Sequence, residues 1–136
     1  MKVTPKKHLG QHFLTDSTIS AKIADSVQGH MGYKHLLEIG PGTGALTDFL
    51  LKGDKKITAI EIDNESIPFL HSRYKGQENL TIIHGDFLQT DLNSLESELL
   101  GVTGNFPYNI SSQIFFHILD YRDKVPEVVC MLQKEV

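Results

Sequence analysis

The 136-residue sequence contains one cysteine, Cys130, so no internal disulfide can staple it. No apolar run approaches the roughly 18 residues of a membrane-spanning helix. The lysines of the N-terminal segment 1–10 have no apolar stretch behind them, so no secretory signal is expected and the chain reads as cytoplasmic. Positive charge is not in excess. Thirteen Lys and Arg stand against 17 Asp and Glu, a net charge of −4 and a pI near 5.9, and composition alone supplies no nucleic-acid footprint. Internal repeats, low-complexity tracts and Pro/Gly/Ser linkers are absent, and with them any visible domain boundary. Of the scattered histidines only His8 and His12 share a metal-like spacing, and in a lysine-bearing arm a solvated pair is the expectation, so no metal site is predicted. What remains, 40% hydrophobic and 22% charged, suits one globular domain with a buried core.

The order of elements is legible. Residues 1–14 form a polar, basic arm ending in Phe13 and Leu14. Asp16 or Ser17 can cap a helix in which Ile19, Ile23 and Val27 recur every four residues, and Gly29 and Gly32 end it. Strands are predicted at 35–39, 56–62, 80–84, 100–105 and 128–132, with helices at 45–52, 64–74 and 111–121 between them. Strands alternating with helices predict an α/β fold, a Rossmann-like, doubly wound and mainly parallel sheet. Pro68 lacks a backbone donor within its helix, so a late start or a distortion is expected there. Phe115, Phe116, Ile118 and Leu119 are expected as core of the last helix, and Cys130 as a buried, unreactive thiol. The last predicted strand has no helix after it to cover the sheet, so the sequence reads as truncated after about five strands.

Three strand ends carry chemistry. Gly40-Pro41-Gly42-Thr43-Gly44 turns the chain sharply after the first strand and lets a ligand approach the backbone. Its G-x-G-x-G spacing departs from the dinucleotide fingerprint, and no G-K-[ST] follows, so a nucleotide-like ligand of another kind, or a tight turn only, is implied. Glu61 ends the second strand about twenty residues on, where a carboxylate can accept both hydroxyls of a ribose. Asp63 fits a helix cap better. Asp86, closing the third strand, can accept from an adenine amine. Asn105-Phe106-Pro107-Tyr108 closes the fourth. Pro107 holds Phe106 extended, so its carbonyl and the Asn105 oxygen can accept from one planar amine while Tyr108 stacks on its ring. Two such acceptors would localise the amine lone pair toward a methyl donor. A plain Pro-Tyr turn is the alternative.

These residues resemble the ribosomal RNA adenine N6,N6-dimethyltransferases of the KsgA type, class I enzymes that use S-adenosylmethionine. The resemblance runs through Lys6-Lys7-His8-Leu9-Gly10-Gln11-His12-Phe13-Leu14, Glu38–Gly44, Asn105–Ser111 and Met131–Val136. It implies an arm at 1–14 that contributes Gln11, His12 and Leu14 to the donor site, and a partial donor-binding domain at 15–136. Within that domain it implies Gly40 and Gly42 near the methionine part, Glu61 on the ribose, Asp86 on adenine, and Ile62 and Phe87 beside them. Asn105, Phe106, Pro107 and Tyr108 would hold the target adenine. The family is about twice this long, with further strands and a helical RNA-gripping domain, so the piece alone is expected to be inactive or weakly active. The implied partner is small-subunit (16S) ribosomal RNA on an immature subunit, and a monomer is expected. Large-subunit RNA, DNA adenine or protein glutamine methylation, and a non-catalytic ribosome-assembly module, stay open.

Overall fold

In the computed structural model, which describes residues 17–133, five parallel strands form one sheet in the order β3-β2-β1-β4-β5. They are β1 His35–Ile39, β2 Lys56–Glu61, β3 Leu80–His84, β4 Leu100–Phe106 and β5 Glu127–Leu132. The helices are α1 Ser17–Asp25, α2 Thr47–Leu50, α3 Ser66–Arg73 and α4 Ser111–Leu119, with 3₁₀ turns at Phe87–Gln89 and Leu92–Ser94 among the connections. The α/β expectation and all five strands hold.

Strand alternation sends neighbouring residues to opposite faces, and both faces of a parallel sheet must be covered. Leu37 and Ile39 of β1 therefore pack with Phe106, Ile114 and Ile118 on the α4 face. Leu36 packs with Ile23, Leu46, Leu50 and Ile57 on the α1 and α2 face. On that side a Cβ at Gly101 would come within 2.3 Å of the Tyr33 ring, so glycine in β4 makes room for it. The Tyr33 hydroxyl donates to Glu127 Oε1, which also accepts from the Gln28 and Gly29 amides at 3.0 and 3.3 Å. This ties the end of the α1 connection to the start of β5.

Pro68 is accommodated by a late start. The helix begins at Ser66 and not at residue 64, which places the proline third, among the first four residues whose amides have no intrahelical acceptor. Two expectations need correction. On α4 only Ile114 and Ile118 are buried, with Phe115 packed beside them, whereas Phe116 and Leu119 are 68% and 52% exposed. The helix is apolar around most of its circumference, and at 100° per residue Phe116 points away from the sheet. Cys130 is only half-buried, on a strand that among the described residues is the edge of the sheet, and that burial still pushes its thiol pKa up.

Candidate functional site

The strand order reverses between β1 and β4: the chain runs outward from β1 through β2 to β3, then returns to lay β4 on its other side. At such a switch point the loops leaving the two strands part and open a crevice at their carboxyl ends. A cleft of about 210 Å³ lies here, and the ends of β1, β2, β3 and β4 all contribute to its wall.

The glycine loop follows β1. Gly40 has φ +67°, and a Cβ placed on it would meet nothing within 4 Å, so its backbone borders open space. Gly42, at φ +61°, donates its amide to Glu61 Oε1 at 2.8 Å. The other Glu61 oxygen accepts from the Asp63 amide at 2.9 Å. Glu61 is 2% exposed, and burial pushes its pKa up while the amides pull it back. The carboxylate thus joins the end of β2 to the loop after β1. Asp63 does not cap α3, whose N-cap is Glu65; it closes the turn leading into the helix, accepting from the Glu65 amide and the Ser66 hydroxyl.

Asp86 lines the cleft and accepts from the Leu88 amide at 3.0 Å, which leaves its carboxylate further acceptor capacity. Ile62 and Phe87 line it too. So do Asn105 and Pro107. Phe106, between them, does not: the residue is fully buried, its ring edge-on to Phe115 at 5.6 Å and its carbonyl no part of the cleft wall, so the expected role of that carbonyl toward a ligand is not seen. That carbonyl accepts a long bond of 3.4 Å from the Gln133 amide. Tyr108 is half-buried and stands outside the cleft wall. Gln11, His12 and Leu14 lie outside the described residues. Among those described, no group of three or more His, Cys, Asp or Glu could hold a metal ion, and no helix is long and apolar enough to cross a membrane.

Sequence reasoning assigned no role to Glu38, Ile110 or Gln133, which also form the wall. Glu38 offered a signal, an acid in the otherwise apolar run Leu36–Ile39. It is fully buried and accepts from the Thr47 hydroxyl at 2.5 Å. Burial, with the nearby charges of Glu61 and Asp48, pushes its pKa up to about 8 against an ordinary 4.5. Since the folded state then holds a proton that the unfolded state has released, the stability this group contributes is complete below about pH 4.5 and is lost as pH rises through about 8. Glu38→Gln is expected to flatten the thermal-stability profile across that window, with the largest gain over the parent at its alkaline end. Parallel profiles for the two proteins would refute the buried proton.

A family model described as ribosomal RNA adenine dimethylase matches residues 3–136. The ribosomal RNA small subunit methyltransferase A of Cytophaga hutchinsonii is 50% identical over 136 residues, 99% of this chain and 52% of that protein. The chain spans about half the length of the curated relatives it matches. Among solved structures, the 23S rRNA methyltransferase ErmE aligns with a TM-score of 0.72 at 29% identity, over 84% of this chain and 45% of that one. A dimethyladenosine transferase from Plasmodium falciparum aligns at 0.69 and 35% identity, over 90% and 44%. The sheet of this chain is accordingly that of a class I methyltransferase, and the family match takes in the N-terminal residues from 3 on, the glycine loop and the Asn105–Tyr108 turn together. The chain belongs to the ribosomal RNA adenine dimethylase family.

Proposed function

We propose that the chain forms the donor-binding part of an S-adenosylmethionine-dependent enzyme that dimethylates adenine N6 in small-subunit ribosomal RNA during ribosome maturation, acting as a cytoplasmic monomer. The observation that carries this reading is the convergence of four strand ends on one cleft: the glycine loop, Glu61, Asp86 and Asn105. The residues present fit such a donor. Gly40 leaves open space beside the backbone for the methionine part, Glu61 is a buried acceptor for the ribose diol, and Asp86 is an acceptor at the next strand end for the adenine amine. When bound, the donor supplies a methyl group made electrophilic by its sulfonium.

The remaining chemistry falls to the chain. The Asn105 side-chain oxygen accepts from the target amine, drawing its lone pair out of conjugation as positive charge develops on nitrogen, and the amine proton then leaves to solvent. No strong base is needed. The names of the relatives, together with Gly10–Leu14 in the arm, favour the small-subunit substrate.

The test is incubation of the chain extended to the full length of its relatives with labelled S-adenosylmethionine and small ribosomal subunits from cells lacking the modification, followed by mass analysis of digested RNA. Label on adenine N6 of small-subunit RNA is the expected result. Label confined to large-subunit RNA would change the substrate. Donor binding with no methylated adenosine in either RNA would reject catalysis in favour of an assembly module.

A further inference from the structure

The third glycine of the loop is not part of the cleft wall, although the first two are. Gly44 has φ +94°, and a Cβ there would stand 2.1 Å from the Tyr74 hydroxyl oxygen. Its constraint therefore comes from a side chain just past α3 and not from a ligand. The Tyr74 hydroxyl lies 2.6 Å from Asp48 Oδ1 and 3.1 Å from the Gly44 carbonyl. Its single hydrogen goes mainly to the charged, nearer acceptor and is shared with the carbonyl. Arg73 completes the group, its Nη2 donating to Asp48 Oδ2 at 2.5 Å and its Nε to Oδ1 at 3.3 Å.

The Asp48 amide in turn donates to the Gly44 carbonyl at 2.9 Å, so loop, α2 and the end of α3 meet at one carbonyl group. The helix that leaves the loop, α2, is only four residues long, too short to hold its own N-terminal turn. We infer that Tyr74, together with Asp48 and Arg73, is a positioning device for the methyl donor, clamping the Gly44 end of the glycine loop so that Gly40 and Gly42 are held in place before the donor arrives. Tyr74 touches no part of the cleft and acts through the loop alone. The inference rests on the cleft being the donor site.

Tyr74→Phe keeps the ring against Gly44 and removes the hydroxyl. Two measurements on the chain read the result. Without ligand, hydrogen exchange at the Asp48 amide and across residues 42–46 should accelerate while β4 amides are unchanged. With S-adenosylmethionine, calorimetry should give a Kd raised about five- to tenfold, the scale of one lost charge-assisted hydrogen bond. Asp48→Asn should act in the same direction and add little in the Tyr74→Phe background, because both changes break one unit. In the methylation assay the donor KM should rise with kcat preserved. Unchanged loop exchange would overturn the clamp. Faster exchange with an unchanged Kd would overturn its link to the donor. Absence of donor binding in the unsubstituted chain would instead overturn the donor-site reading, a result kept separate by the ligand-free exchange rates.

Discussion

Glu61→Ala is expected to weaken S-adenosylmethionine binding by about 1–3 kcal/mol, roughly 5- to 150-fold in Kd, as measured by calorimetry. Two losses add. The ribose diol loses its buried acceptor, and the Gly42 amide loses the carboxylate that it reaches at 2.8 Å, so the loop is released from the end of β2. Glu61→Gln keeps one carbonyl oxygen and should fall between the parent and alanine. Asp63→Ala is the control two residues away. Its carboxylate serves the Glu65 amide and the Ser66 hydroxyl, so its removal should cost about 1–2 kcal/mol of fold stability in lost hydrogen bonds and leave donor affinity largely intact. Equal losses of affinity in the two alanine variants would refute the separate roles.

Gly104→Ala should have the largest structural effect, about 1–3 kcal/mol or more, with a fall in Tm on the order of 10 °C. The new Cβ would lie 2.6 Å from the Ile39 carbonyl oxygen and 3.1 Å from the Phe106 ring. Gly104 and Ile39 are register partners, so the clash is with the backbone of a central strand and no side chain can swing aside to relieve it. The strands must part where the glycine loop begins and where Asn105 stands one residue on. Methylation should therefore fall more than the folded fraction does at assay temperature. Gly53→Ala, whose Cβ would meet only the Leu50 carbonyl at 3.4 Å, should leave Tm and activity close to the parent. A Gly104→Ala protein that melts with the parent would show that β1 and β4 yield more readily than a paired central ladder should.

The local patterns carried a great deal. Short apolar runs alternating with stretches of helical spacing predicted five strands, and the structure has all five within a residue or two at either end. The acids at 61 and 86 and the turn after Asn105 stood at strand ends because a parallel α/β chain returns every strand in the same direction, so successive carboxyl ends face one edge. That much follows from periodicity and spacing along the chain.

Other features depend on residues far apart in sequence. Phe116 and Leu119 read as core by spacing, yet the rotation of α4 about its axis is set by its fit against Phe87, Phe106 and the sheet, which turns those two outward. Phe106 stands in the site motif but spends its ring on the core. Glu38 was one acid in an apolar strand until Thr47 and Glu61, brought in from α2 and β2, gave it a partner and a proton. Gly44 had no role of its own in the loop sequence, and only the approach of Tyr74 from thirty residues away shows what requires a glycine there. Backbone geometry is written in neighbours a few residues apart. Burial, charge and clash are set by whichever groups the strand order, with its reversal between β1 and β4, brings into contact.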